Sequence, residues 1–505
     1  MKKILTIFIL YMAFSCLTAH AQSGLRPRGD VNCDWEVNIA DVNALLDSIY
    51  SDAKYHKLYS YAADVNGDQE INIADINMII DAIHGKELPP MPCYSGSLPV
   101  LYINTDGHRN IDSKEEYIHA SWWLDAMGID GATSIGSAQA PKGMQIKGRG
   151  NYTWTQAKKP FRIKLDAKQA LLGMKSNRHF CLLARGDDHY AKLMDEVGFE
   201  LSRRIGLAYT PEQRPVEVVL NGQYIGLYFL ADKIRVEKDR VNIEEQEDEE
   251  TDPEEITGGW LLEIDNNTDE NTIFITERNN GEHWYDWLWI TSHSPEVLSA
   301  EQRQYIQQFL ENANAAIYSR NKLSREWERY IDIDSLACFY IIAEMLDDIE
   351  SFSGSCFMHK HRGDTTKLIF GPVWDFGNAF HRKNYVDVPN YNYFIYQQPC
   401  YFYNHWIEEI AKYPRFQLAV RKHWRNFYDS NFNGLDLDKF IDDHVAHIRE
   451  AWYCNAARWT GDNIDWETDQ FKQNIHSKIA WLHSKWGPEH NIDPDGGGIQ
   501  LIGRQ

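Results

Sequence analysis

No two cysteines in this 505-residue sequence stand in a CxxC spacing, and none is paired with histidine at a zinc-binding spacing. The thiols at Cys16, Cys33, Cys93, Cys181, Cys338, Cys356, Cys400 and Cys454 are scattered, which excludes a disulfide scaffold and leaves room for one or two bridges. A long apolar run is also missing. Beyond the first residues no stretch reaches the ~18 continuous apolar residues of a transmembrane helix. Basic excess is missing too: 51 Lys and Arg stand against 74 Asp and Glu, a net charge of -23 that argues against a nucleic-acid binder. What is present is a 43% hydrophobic composition with 17 Trp, the mark of a packed globular protein. The length suffices for a large core plus an appended module. Much of the acid excess is local, in the N-terminal module and in Glu244 to Glu255, a run expected to be a solvated loop.

Residues 1–21 read as a secretory signal: Lys2 and Lys3, an apolar run from Ile4 to Phe14, and the small-x-small site Ala19-His20-Ala21. A second reading ends a lipoprotein leader at Cys16, although Ala13 and Phe14 suit that pattern poorly. Either way the expected location is secreted or at the cell surface.

An internal repeat follows. Asp30 to Asp41, DVNCDWEVNIAD, returns as Asp64 to Asp75, DVNGDQEINIAD, and each copy leads into an amphipathic helical pattern. Oxygen-bearing side chains recur at loop positions 1, 3, 5, 9 and 12, as a hard cation such as calcium needs. They are Asp30, Asn32, Asp34, Asn38 and Asp41, then Asp64, Asn66, Asp68, Asn72 and Asp75; Glu36 and Glu70 lend carbonyls at position 7. One such loop is an ordinary acidic turn before a helix; two with identical spacing point to metal binding. The repeat resembles a type I dockerin, which implies a small all-α calcium module over 28–86 and a cohesin-like docking partner. It departs from the glycine of calcium loops at position 6, where Trp35 and Gln69 stand. Ile39-Ala40 and Ile73-Ala74 occupy the positions that in dockerins contribute to partner choice.

Residues 87–97 form a proline-rich linker, and a second domain is expected over 98–486, with a tail at 487–505. Leu98 onward alternates as a strand, and Ser113 to Met127 reads as a helix or mixed segment. Met144 to Asp166 suggests two strands about a Gly148-Arg149-Gly150 turn, with Arg162 and Lys164 on the solvent face of the second. A helix carrying Glu196 and Glu200 comes next, then a hairpin turning at Asn221-Gly222. From Pro295 the apolar spacing becomes helical, over Glu301 to Ser319, Ile333 to Leu346, Tyr413 to Tyr428, Asp436 to Trp452 and Asp469 to Trp486. The expected class is α+β. Between the helical segments lies GPVWDFGNAF, Gly371 to Phe380, an apolar strand end and a Gly-Pro break presenting Asp375. Alone, this reads first as a surface turn whose Asp caps a backbone amide, and second as a carboxylate presented to a metal or reacting group.

The order GRGNYTW, KKPFRIKLD, LLARGDD, VEVVLNGQYIGLYFLADKI, DRVNI, GPVWDFGNAF resembles the CotH kinase (spore coat protein H) family. That resemblance implies an atypical protein-kinase-like two-lobed fold. It also implies ATP- and magnesium-dependent phosphoryl transfer to protein Ser or Thr, which needs metal-holding carboxylates, a cation on the phosphates and an acid near the attacking hydroxyl. The family's metal-binding Asp falls on Asp375, with Phe376 as its packing anchor. Its other acidic residue falls on Glu350, where the family has Asp. Ala343 and Gly377 also depart, from Asn and Asp. Lys164 is the expected phosphate cation, with Arg149 second and Glu196 as a partner. The departures keep open a catalytically degenerate CotH domain serving a polysaccharide-processing complex; a glycosidase built on Glu350 and Asp375 is a weaker third reading.

Overall fold

The computed structural model describes residues 28–32, 36–50, 63, 65–66, 71–88, 94–129, 131–185, 190, 192–276, 287–380, 392–397, 405–430, 432, 434–459 and 463–487. The residues expected to form a signal sequence, Asp34, Asp64, Asp68, Glu70 and Gly186 to Asp188 of the LLARGDD motif lie outside them. The chain divides into two compact units: residues 1–189, 214–230 and 443–469, and residues 190–213, 231–442 and 470–505.

The first unit contains the repeat. Helices α1 (Ile39–Tyr50) and α2 (Ile73–Ile83) bury Val42, Leu45, Ile76 and Ile79 together with Val31 and Val65 from the loops before them. The two loops are closed in the same way. The Asp41 carboxylate accepts the amides of Val31 at 2.6 Å, Asn32 at 3.0 Å and Asn38 at 2.8 Å. Asp75 accepts those of Val65 at 2.7 Å, Asn66 at 3.1 Å and Asn72 at 2.9 Å. Asn38 and Asn72 each accept the amide two residues on, at 2.8 Å, as helix caps do.

The same unit holds a closed seven-stranded barrel: β1 (Val100–Thr105), β2 (Ile118–Asp125), β3 (Lys142–Gly148), β4 (Phe161–Gln169), β5 (Asn177–Leu183), β6 (Gln213–Leu220) and β7 (Gln223–Asp232), in the order β1-β2-β3-β4-β5-β7-β6. β1 runs antiparallel to β2 and parallel to β6, which closes the ring. Period-two alternation sends Leu101, Ile103, Met144, Ile146, Ile163 and Leu165 into one core. Within 113–127 the structure contains the strand β2 rather than a helix. Ile118, Ala120, Trp122 and Leu124 are buried in strict alternation, a pattern that suits a pleat and would wind around a helix. The turn after β3 is longer than a hairpin, because a helical turn at Tyr152–Thr155 is inserted. The Asn221-Gly222 hairpin forms with φ of 51° and 80°, as a two-residue primed turn requires.

A buried lysine ties this unit together. Lys158 Nζ donates to Ala184 O at 2.6 Å, to Asn455 Oδ1 at 2.7 Å and to Leu227 O, and lies 4.6 Å from the Tyr228 ring centre. Gly226 has φ of 105°, and a Cβ there would sit 2.4 Å from Asn455 Oδ1, so this close approach needs glycine.

The second unit begins with α3 (Met194–Ile205) and contains a five-stranded sheet of β8 (Trp260–Ile264), β9 (Thr272–Thr276), β10 (Trp287–Ser294), β11 (Cys356–Lys360) and β12 (Ile369–Phe370), in the order β12-β11-β8-β10-β9. Its neighbours pair antiparallel. The helices are α4 (Ala300–Ile317), α5 (Ile333–Met345), α6 (His405–Ile410) and α7 (Pro414–Ser430), with α8 (Gly434–Arg458) and α9 (Ile464–Trp486) each contributing part of its length. Ser299 and Gln302 form a capping box at the start of α4, and Asp332 caps α5 through the Ser335 amide. From Leu336 to Met345, α5 is buried on every side, as its nearly continuous apolar sequence dictates. The acidic run from Glu244 to Glu255 is mostly exposed but not free-standing. Gln246 is buried against Gln302, and Asp248 accepts the amides of Glu296 and Val297.

Candidate functional site

Three segments of the second unit converge at one end of its sheet. β8 runs out into Asp265 and Asn266. The loop after α5, carrying Asp347 to Ser355, enters β11, whose Cys356 pairs with Ile264 at the end of β8. β12 pairs with β11 through Met358 and Phe370, so the chain beyond it, Gly371 to Phe380, runs toward the same end. Two backbone bonds fix that last segment: Gly371 N to Phe357 O at 2.9 Å, and Phe380 N to Leu346 O at 3.1 Å.

Asp375 lies on this segment with φ of 59°, in the left-handed region, and is exposed. Its neighbours are held rigidly. Phe376 is buried, edge-on to Phe199 of α3, and its amide donates to Asp195 Oδ1 at 2.8 Å. Gly198 makes the approach of α3 possible, since a Cβ there would lie 2.2 Å from Phe376 Cε2. Asp375 is thus an exposed carboxylate on an anchored turn.

Glu350 faces it across the junction. Its Oε1 accepts Asn266 Nδ2 at 2.6 Å, and its Oε2 accepts Asn378 Nδ2. Burial, then the charge of Asp375, push its carboxyl up to about 7, against the opposing pull of the Asn378 and Asn266 amides. Asp265 is likewise raised to about 7, by burial and then by Glu263, which is itself paired with His293. Asp348 is pushed well up by burial and then by Glu350; its Oδ1 accepts the Glu350 amide at 3.1 Å, while Oδ2 is buried without a hydrogen-bond partner. Four carboxyl groups therefore share one region, and burial with mutual repulsion raises three of them, Glu350, Asp265 and Asp348, above the ordinary carboxylate range.

The loop that carries Glu350 is braced from below. Lys478 Nζ, fully buried, lies 3.0 Å from Glu344 Oε2 and 2.8 Å from Asp347 Oδ1, and donates to Tyr393 O at 2.6 Å. Glu344 Oε1 accepts the Ile395 amide at 2.8 Å.

The family model described as CotH kinase protein matches residues 146–484. The chain belongs to the CotH kinase family. No curated protein matches it. The CotH match begins within β3, at Ile146, and contains β4 to β12 and the acidic junction, whereas the barrel strands β1 and β2 precede it.

Within this CotH domain the structure brings Glu350 and Asp375 together. Glu196 of α3 is in the same unit, where its Oε2 accepts Gln213 Nε2 at 2.7 Å. Lys164 and Arg149 belong to the first unit. Lys164 is half-buried on β4, in register with Gln145 and His179, and Arg149 follows β3 with its amide bonded to Pro160 O. Asp265, Asn266 and Asn378 were missed from sequence. Their only local signal is a polar turn after the apolar strand WLLEI and an amide three residues past Asp375. Of the calcium-loop residues, Asp30, Asn32, Glu36, Asn38, Asp41, Asn66, Asn72 and Asp75 are described, with Asp30, Asp41 and Asp75 fully buried. Among the described residues no group of three or more His, Cys, Asp or Glu is placed to hold a metal ion, and no helix is long and apolar enough to cross a membrane.

Proposed function

We propose that the CotH domain is an atypical protein-kinase-like phosphotransferase that uses magnesium and ATP to phosphorylate Ser or Thr of a protein partner. The observation that carries this reading is Glu350: a carboxyl raised to about 7, held between two amides and facing Asp375. A base whose pKa lies near the working pH is in the range where general-base catalysis is most effective. Glu350 is the group proposed to accept the proton of the attacking hydroxyl.

The donors suit magnesium. Asp375 and the neighbouring carboxylates are hard oxygen ligands, and this ion is usually held by one or two carboxylates plus substrate phosphates and water. A three-ligand protein cage is therefore not required. Asp375 would hold the ion, which when bound neutralises phosphate charge. Asn378 and Asn266 fix the Glu350 carboxylate, and Lys478 fixes the loop that presents it. Lys164 and Arg149 are the proposed phosphate-binding cations, on the strength of their strand and loop positions.

The N-terminal repeat is proposed as a dockerin-type calcium module, binding through Asp30, Asn32, Asp34, Glu36, Asn38 and Asp41 and their counterparts Asp64 to Asp75. Matched hydrogen bonding of the two described half-loops supports it. Oδ2 of Asp41 and of Asp75, each taking a single amide, keeps acceptor capacity for a cation, while each Oδ1 already takes two amides. The chain would then be an exported enzyme docked to a surface assembly through a cohesin-like partner. A second reading, a catalytically degenerate CotH domain acting as a binding or structural component of a polysaccharide-processing complex, is favoured by Gly377 beside Asp375, where the family carries a further Asp.

Nucleotide binding measured by calorimetry with magnesium, followed by phosphate transfer to itself or to co-exported proteins, separates the readings. Asp375→Asn is expected to weaken magnesium-dependent ATP binding, and Glu350→Gln to slow transfer by roughly 10²–10⁴-fold with ATP still bound. Absence of ATP binding by the unaltered protein would sink the kinase reading in favour of the second.

A further inference from the structure

A second constellation lies within the same unit, between α5 and α7. Cys338 of α5 points its Sγ at His423 Nδ1 of α7, 3.4 Å away. The other ring nitrogen, Nε2, lies 2.6 Å from Asp334 Oδ1 on the first turn of α5. Thiol, imidazole and carboxylate are thus connected in the order nucleophile, base, orienting acid. The Asp334 carboxyl is held below its usual range by the His423 hydrogen bond and by Lys422, so it is ionised and fixes the proton on Nε2. Nδ1 is then left as an acceptor facing the thiol.

The group opens onto a cavity of about 270 Å³. Asp334, Cys338 and His423 all line it, and its apolar wall includes Leu207, Phe370 and Pro372. The chain's other described thiols, Cys181, Cys356 and Cys454, are equally buried but line neither this cavity nor the larger groove of about 900 Å³ along α4.

We propose that Cys338, His423 and Asp334 form a nucleophilic thiol site that takes small electrophiles with apolar bodies into this cavity. In the reaction the sulfur attacks an electrophilic carbon. With iodoacetamide as probe, the S–C bond forms and the C–I bond breaks. Iodide leaves with the bonding pair, and the thiol proton passes to His423 Nδ1 and on to solvent. Burial, then the charges of Asp334 and Asp332, push the thiol up to about 12, so it reacts by giving its proton to His423 rather than as a standing thiolate. The charged and titratable groups around the sulfur are Asp332, Asp334, Lys422, His423, His359 and Tyr209. Gly371 and Pro372 also line the cavity, so an adduct would press on the segment that leads to Asp375.

The test is timed labelling of the folded full chain with iodoacetamide, read cysteine by cysteine by peptide mapping. Cys338 is expected to label at least about tenfold faster than Cys181, Cys356 and Cys454 near neutral pH. His423→Ala should slow Cys338 about tenfold or more and leave the other three unchanged. Asp334→Asn, at a half-exposed position that folding tolerates, should slow it several-fold and carries the test if the His423 variant fails to fold. Labelling of Cys338 no faster than that of the other three would overturn the proposal. So would fast labelling that survives both substitutions unchanged, since this would mark mere access to solvent.

Discussion

Glu350 and Asp375 stand close enough that the charge of Asp375 helps to hold the Glu350 carboxyl up to about 7. The pair is not free to relax apart. Asn378, on the turn of Asp375, donates to Glu350 Oε2, and Asn266 holds Oε1 from the end of β8. The repulsion is therefore built into the fold, and its consequences can be measured.

Stability should depend on pH through Glu350. Its folded pKa of about 7 lies above the ordinary 4.5, so the folded chain keeps a proton that the unfolded chain has already released. That contribution is fully present below about 4.5 and is lost as pH rises through about 7. Glu350→Gln removes the loss. In urea unfolding the variant should exceed the parent by about 1–3 kcal/mol near pH 8, with the gap closing toward pH 5. Parallel behaviour at both pH values would show that the raised carboxyl is not at Glu350.

Gly198→Ala should act at a distance from its own helix. The new Cβ would meet Phe376 at 2.2 Å, and Phe376 is the neighbour that anchors Asp375. Overpacking of this kind costs about 1–3 kcal/mol. Magnesium-dependent ATP binding should weaken along with stability, whereas a variant that lost stability alone would show that the Phe376 anchor does not position Asp375.

Lys478→Met leaves Glu344 and Asp347 buried without their cation. Breaking a buried pair from one side costs about 3–5 kcal/mol, far more than an exposed ion pair would. Chemical denaturation gives the value directly. A loss below about 1 kcal/mol would mean that the two carboxyls take up protons at little cost.

In the N-terminal module, Asp41→Ala and Asp75→Ala should have nearly equal effects, because each residue closes its loop with the same three amide bonds. Calcium should increase amide protection over residues 30–84 in the parent, and chelation should reverse it. Each substitution should abolish the calcium response of its own half. A response that persists in both variants would remove position 12 from the ligand set.

Several features were legible in the chain itself. The repeat is visible because its spacing is exact over the whole loop and helix. The barrel strands are visible where apolar and polar residues alternate strictly, as in Phe161 to Leu165. The CotH motifs are recognisable by their order, and Asp375 and Glu350 could be named from them. Ser113 to Met127 shows the limit of such reading. Its aromatic pair Trp122 and Trp123 obscures the alternation, and only pairing with β1 and β3 settles it as a strand.

What the sequence alone determined was therefore local: periodicity, turn chemistry and the identity of the acidic residues. Only the tertiary structure decided what surrounds them. Asp265 and Asn266 reach Glu350 because β8 pairs with β11, and Asn378 reaches it because β12 pairs with the other edge of β11. A carboxyl's pKa depends on burial and on charges a few ångströms away, and those neighbours come from distant parts of the chain. The same reason hid Cys338, His423 and Asp334, two of which share a helix while the third is supplied by another.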